Sequence, residues 1–243
     1  LPLSTETKKL YLEEMHKNIA TNTKIVAVIK TDGYGHGALP IAQAIEHVDY
    51  LWGYAVATVD EAMMLIDDGR KKPILVLGIS FPEHFDAIVR NDIRSCVCDF
   101  ETAKKLSAIA VSKDKKCHIH IKIDTGMSRI GFQVNEDTAN TIFEISKLPN
   151  IVIEGIFTHF ACADELDKTP TYVQMELFQK MYSLLVDRGV HIPIKHCSNS
   201  AGIVDIPDAN MDMVRAGIIL YGLWPSNEVN KYGMDLQPVM SLK

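Results

Sequence analysis

The run Ala27-Val28-Ile29-Lys30-Thr31-Asp32-Gly33-Tyr34-Gly35-His36-Gly37 sets a lysine at the end of an apolar stretch, immediately before a glycine-rich turn. An ammonium emerging from Ile25-Val26-Ala27-Val28-Ile29 meets low-dielectric surroundings, which disfavour its charge and free a neutral amine to attack a carbonyl. That is Schiff-base chemistry. A lysine that merely snorkels from a strand end would look the same over so short a stretch, so the reading depends on what else can reach it. Four further stations carry suitable side chains: His118-Ile119-His120-Ile121-Lys122-Ile123-Asp124 running on to Met127 and Arg129, then Thr158-His159, Asn199-Ser200, and Arg215-Ala216-Gly217-Ile218.

Positioning these stations falls to eight short β-branched runs: Ile25–Ile29, Leu51–Val56, Ile74–Leu77, Ser95–Cys98, His118–Asp124, Ile151–Thr158, Ile192–Cys197 and Met213–Tyr221. Amphipathic segments with helix punctuation lie between them. Thr169-Pro170 reads as N-cap and first helical residue, Val173, Leu177, Met181, Leu184 and Leu185 as one face, and Gly189 as the stop. Asp99 opens another helix and Gly69 closes a third. Eight parallel strands with intervening helices satisfy their edges by closing into an α/β (β/α)8 TIM-type barrel of the usual ~250 residues. An open doubly wound sheet is the alternative. A barrel demands functional groups at the C-terminal strand ends, and each station satisfies this. In the fifth run the isoleucines alternate with polar residues, so His118, His120, Lys122 and Asp124 are expected to face the lumen if the isoleucines face the helices.

The chain has 243 residues and a formal charge of -6, with no basic run able to neutralise successive phosphates, so a small molecule is a better partner than nucleic acid. Cys96, Cys98, Cys117, Cys162 and Cys197 lack the paired spacing of a zinc site and read as reduced residues, which fits a cytoplasmic location. No window holds eighteen apolar residues and no basic-then-apolar leader appears at the N-terminus, so neither a membrane span nor export is expected. The start at Leu1 and the strand-like end at Met240-Ser241-Leu242-Lys243 give the expectation of a fragment.

Two motifs carry a resemblance to a known family. Lys30-Thr31-Asp32-Gly33-Tyr34-Gly35-His36-Gly37 and Asp124-Thr125-Gly126-Met127-Ser128-Arg129-Ile130-Gly131-Phe132 resemble the signatures of the alanine racemase family, with Ser128 where that family often has glycine. The resemblance extends over nearly the whole chain. It implies that Lys30 carries pyridoxal 5'-phosphate as an internal aldimine and acts as a base, that Tyr34 helps hold the cofactor, and that His159 stacks on its ring. It further implies phosphate contacts from Ser200, Gly217 and Ile218 beside Asn199, and Arg215 at the pyridine nitrogen. Guanidinium can only donate, so a nitrogen facing it stays unprotonated and the electron sink is shallower, which suits a reaction that only removes and returns one α-proton. Arg129 and Met127 are placed at the substrate, and Lys122, carbamylated, becomes an anionic partner for Arg129.

The implied activity is interconversion of L- and D-alanine, supplying D-alanine for peptidoglycan, in a homodimer. Residues 1–230 would be the barrel, and 231–243 the start of a link into a C-terminal β-domain carrying the second base. A serine/alanine racemase domain of a membrane-anchored protein and a non-catalytic pyridoxal-phosphate carrier barrel are the alternatives.

Overall fold

The computed structural model describes residues 12–231, 233–236 and 238. The expected strand at 240–243 and most of the expected link lie outside the described residues. Eight strands alternate with helices: β1 (Lys24–Val28), β2 (Leu51–Val56), β3 (Ile74–Ile79), β4 (Arg94–Val97), β5 (Cys117–Lys122), β6 (Ile151–Phe157), β7 (Ile194–His196) and β8 (Met213–Ala216). Every pairing is parallel, in the order β7-β6-β5-β4-β3-β2-β1-β8. The seam between β7 and β8 is bridged by Asp212 N–H to Lys195 C=O and Arg215 N–H to Ser198 C=O, both 3.1 Å, so the sheet curls into a nearly closed barrel. The barrel, not the open sheet, is the architecture.

Two apolar layers hold it. The larger packs strand residues such as Ile25, Ile119, Ile121 and Ile123 against the helices. The smaller, Val26, Val28, Ala55, Leu75 and Met213, fills the lumen with Trp52, Leu77 and Ile194 against it. The alternation expected for the fifth run is therefore present: its isoleucines face the helices while His120 and Lys122 are buried on the lumen side. His118 sits half-buried on Asp92, away from the other two.

Local punctuation explains most helix boundaries. Asp99 caps Phe100–Ser112, its carboxylate accepting from Thr102 N–H at 2.7 Å, and such a cap contributes about 1 kcal/mol. Gly69, at φ +84°, follows the helix Val59–Asp67. The long helix Thr169–Val186 starts one residue earlier than expected, with Lys168 at the N-cap, and buries Thr171, Gln174, Phe178, Met181 and Leu185. Val173 is exposed instead, because the face turned to the barrel is set by the larger Phe178. The run Met213–Tyr221 divides: the strand stops at Ala216 and Ile218–Tyr221 is a 3-10 turn, since Gly217 bends the backbone out of the sheet (φ -103°, ψ -110°). Among the described residues no helix is long and apolar enough to cross a membrane, and no group of three or more acidic, histidine or cysteine side chains could hold a metal.

Candidate active site

The C-terminal strand ends enclose a cavity of about 340 Å³. Lys30, Tyr34, Lys122, Met127, Arg129, His159, Asn199, Ser200, Arg215, Gly217 and Ile218 all line it, so the residues to which the resemblance gives a site role converge on one place, while His118, His120 and Asp124 do not line it. Lys122 and Arg215 lie deep, each 3% exposed, whereas Tyr34 and Arg129 stand at the rim.

Lys30 is presented by a strained turn. Thr31, Asp32, Gly33 and Tyr34 all adopt left-handed backbone angles, with φ between 51° and 60°. A β-branched or aromatic residue in that region costs on the order of 1 kcal/mol or more, so the turn must be held from outside. It is. Glu61 Oε1 accepts from Thr31 N–H at 2.6 Å while Glu61 Oε2 accepts from Ala57 N–H at 2.7 Å, and Asp32 Oδ1 accepts from Ala38 N–H at 2.8 Å. At Gly33 a Cβ would lie 2.7 Å from Ile41 Cδ1, so any other residue there would have to displace that side chain. Lys30 Nζ stands 5.9 Å from the centre of the Tyr34 ring.

The loop after β5 is built around Asp124, whose Oδ1 accepts from Gly126 N–H at 3.0 Å and Ser128 N–H at 2.9 Å. Burial pushes this carboxyl upward, but those donors and Gln133 outweigh it and hold it below its ordinary value. The loop so fixed carries Met127 and Arg129. Ser128 sits at φ +56°, which gives the glycine common at this position a physical reason. Lys122 Nζ donates to Ile123 C=O at 3.2 Å, and no hydrogen bond joins it to Arg129 among the described residues. Burial, with the charge of Arg215 second, pushes the Lys122 amine down to about 8.

Arg215 is anchored by five contacts. Nη1 meets His196 Nδ1 (3.1 Å) and donates to His196 C=O (2.9 Å), while Nη2 donates to Thr158 C=O (2.8 Å) and Cys197 C=O (2.9 Å) and meets His159 Nδ1 (3.2 Å). None of these uses Nε–H. Burial lowers the guanidinium to about 10, so it stays charged at neutral pH. His159 is driven down to about 3 by burial and by Arg215, Lys122, Arg129 and Lys30, and is therefore a neutral ring. Gln174, which no sequence motif singles out, holds the His159 loop by donating to His159 C=O at 3.1 Å and accepting from Ala161 N–H at 2.9 Å.

On the remaining wall Asn199 caps Ser200–Asp205, accepting from Gly202 N–H at 3.0 Å, and Ser200 Oγ accepts from Gly217 N–H at 3.1 Å. A Cβ on Gly217 would come 3.3 Å from Ser200 Oγ and 3.4 Å from Tyr34 OH. Two hydroxyls and the backbone that begins the Ile218 turn thus surround a space that only glycine leaves open, a donor-rich cradle for an anion such as phosphate. With a donor-only cation and a strand-end amine lining the same cavity, the residues present suit a phosphorylated pyridine aldehyde.

The sequence model described as "Alanine racemase, N-terminal domain" matches residues 12–225. The chain belongs to that family. It is 45% identical over 236 residues to the alanine racemase of Clostridium tetani, covering 97% of this chain and 61% of that protein. Chains of the family therefore extend well beyond this one: it spans about three fifths of the length of such relatives. The alanine racemase of Clostridium difficile 630 in complex with cycloserine superposes with a TM-score of 0.94 at 44% identity, over 96% of this chain and 64% of that one. A histidine racemase from Leuconostoc mesenteroides superposes with a TM-score of 0.85 at 25% identity, over 97% and 62%. Within the alanine racemase family fold, then, the barrel is shared by proteins named for different amino acids.

Proposed function

We propose that residues 1–230 are the pyridoxal-phosphate-binding barrel of an alanine racemase, with the segment from 231 leading into a second domain that completes the site in a homodimer. The observation that carries this reading is the convergence of Lys30, the Tyr34–Ser200–Gly217 cradle and Arg215 on one cavity. When bound, pyridoxal phosphate supplies an electron sink that makes the α-proton of an attached amino acid removable.

The chain's own residues would do the rest. Tyr34 OH, Ser200 OH and the N–H groups of Gly217 and Ile218, beside Asn199, hold the phosphate. Arg215 offers Nε–H to the ring nitrogen and cannot give up its proton there, which limits charge delocalisation and restricts the site to moving one proton. His159, kept neutral, supports the ring without exchanging protons. Lys30 Nζ holds the cofactor at rest and accepts or returns the α-proton on one face of Cα. Arg129 and Met127, on the loop pinned by Asp124, meet the substrate at the rim. A carbamylated Lys122 would place an anion among these cations.

Alanine is favoured as the substrate by the relatives at 44–45% identity, while the histidine racemase that shares the barrel supports a second reading in which another amino acid is used. Borohydride reduction of the intact protein followed by peptide mapping tests the site, and a pyridoxyl group on any lysine but Lys30 overturns it. Chiral analysis after incubation with L-alanine, L-serine and L-histidine separately tests the substrate.

A further inference from the structure

Beneath the cavity a hydrogen-bonded chain of buried polar residues ends at Arg215, and the roles above leave its other members unused. Arg215 Nη1 lies 3.1 Å from His196 Nδ1, His196 Nε2 lies 2.9 Å from His120 Nδ1, and His120 Nε2 lies 3.1 Å from Glu154 Oε2. Arg94 clasps Glu154 through Nε (3.0 Å) and Nη2 (3.2 Å), and its Nη1 reaches Asp92 (2.8 Å), whose other oxygen meets His118 Nδ1 at 2.7 Å. Both central histidines are fully buried. Space is made for them: a Cβ on Gly155 would lie 2.3 Å from His120 Nδ1, and Phe157 stacks on His196 with centroids 4.7 Å apart and planes 6° apart.

The proton positions in this chain follow from its two ends. A guanidinium only donates, so His196 Nδ1 facing Arg215 must be bare, and a neutral His196 then carries its proton on Nε2 and donates to His120. A carboxylate only accepts, so His120 Nε2 facing Glu154 must carry a proton, which leaves His120 Nδ1 bare to receive His196. The cavity end and the Glu154 end impose the same polarity independently. An imidazolium at either ring would set two donors against each other.

We propose that Glu154 is a positioning residue for the site at the other end of the barrel: by fixing the proton on Nε2 of His120 and of His196, it presents Arg215 with a bare acceptor and holds the guanidinium with Nε–H left for the cavity. The inference rests on the reading of Arg215 as partner of the cofactor's ring nitrogen. Were Glu154 replaced by a donor, the two ends would demand opposite polarities, and the reversed chain would set His196 Nδ1–H against Arg215 Nη1–H across 3.1 Å. Burial lowers the affinity of both rings for a second proton and on His120 outweighs the opposite pull of Glu154; Arg94 lowers His120 further, and neighbouring His120, Arg215 and Lys122 lower His196.

The test uses the intact protein labelled with 15N-histidine, in which ring nitrogen resonances report the tautomer directly. From about pH 6 to 8, a range in which an ordinary histidine titrates, His120 and His196 should both be neutral with a bare Nδ1. Nδ1–H on either ring, or an imidazolium, overturns the inference. In Glu154→Met a population of His196 with Nδ1–H should appear, and affinity for pyridoxal phosphate should fall on the order of tenfold, the usual scale for losing an outer support. A wild-type histidine pattern in that variant would show that Arg215 alone sets the polarity, and an unchanged affinity beside an altered pattern would show that the chain does not serve the site; either result removes the role of Glu154. If the single variant does not fold, Arg94→Met with Glu154→Met removes both charges and carries the same expectation. Failure of the wild type to bind pyridoxal phosphate would overturn the cofactor reading instead, with the histidine pattern still intact.

Discussion

Lys122 gives the sharpest quantitative expectation. Its amine is buried, has Ile123 C=O as its hydrogen-bond acceptor among the described residues, and is lowered from 10.5 to about 8 by burial and then by the charge of Arg215. Carbon dioxide adds only to the neutral amine: the nitrogen lone pair forms the N–C bond, the nitrogen releases one proton, and an anionic carbamate results. At pH 7 the neutral fraction is roughly one tenth for an amine near 8 and roughly 3 in 10,000 for an unperturbed one, a gain on the order of 300-fold. The reaction also reverses the sign of a charge in a cavity that Lys30, Arg129 and Arg215 line as well. Two terms, supply of the nucleophile and relief of cationic repulsion, therefore point the same way.

The assay is 13C NMR of the intact, cofactor-loaded protein equilibrated with 13C-bicarbonate. A carbamate carbon should be present at pH 8, disappear in Lys122→Met, and decline below about pH 7 as protonation of the amine draws the equilibrium back. The variant should also lose activity through Arg129, which would have no anion to orient it, and small carboxylates should restore part of that loss. Absence of a Lys122-dependent carbamate carbon at pH 8 would refute the reasoning, because both the free amine and the repulsion it is meant to relieve would then be insufficient.

Gly217→Ala should weaken pyridoxal-phosphate binding at least about tenfold with little change in melting temperature, since the added methyl enters the cradle at 3.3–3.4 Å from two hydroxyls and not the core; fluorescence titration beside thermal unfolding checks it, and unchanged affinity would move the phosphate elsewhere. Gly155→Ala should cost 3 kcal/mol or more, roughly the upper range for overpacking, because the new Cβ falls 2.3 Å from His120 Nδ1; a loss below about 1 kcal/mol in denaturant titration would contradict it. Ser128→Gly should stabilise by a few tenths to about 1 kcal/mol, the left-handed penalty of roughly 1–2 kcal/mol exceeding the entropy that glycine adds to the unfolded chain; a lower melting temperature would contradict it. Glu154 is held at about 2 despite burial, because His120 and Arg94 bond to its carboxylate. A folded value below the ordinary 4.5 contributes stability that is complete above that value and lost as pH falls toward 2, up to ~3 kcal/mol. Acid unfolding of the wild type should accordingly be steeper through this window than that of Glu154→Met with Arg94→Met, and coincident acid transitions would count against it.

The parts of the fold legible in the sequence are those governed by local rules. Period-two alternation placed Lys122 and His120 in the lumen and the isoleucines under the helices, and Asp99 and Gly69 marked helix ends through capping chemistry that needs only neighbours. The division of Met213–Tyr221 was not legible, because a continuous apolar run suits a buried strand and a buried 3-10 turn equally and only Gly217 hints at the break. Val173 was misplaced for a related reason: periodicity offers two overlapping faces in Thr169–Val186, and packing of Phe178 chooses between them.

Glu61 and Glu154 show what separates a legible site residue from a hidden one. Thr58-Val59-Asp60-Glu61 has the spacing of a capping box, and the structure makes one, so a role at the helix start could have been read; that the same carboxylate reaches back 30 residues to steady the turn of Lys30 could not. Glu154 gives no local signal at all. In the strand Ile151–Phe157 it reads as an ordinary polar position, and its meaning comes from Arg94 on β4 and His120 on β5, which only barrel closure brings to it. The cavity could be recognised from motifs because its residues each sit at a strand end. The orientation of Arg215 could not, because it is set by a lumen chain whose members lie on five different strands, from Arg94 on β4 to Arg215 on β8, and each hydrogen-bond direction in that chain depends on the donor or acceptor at its far end.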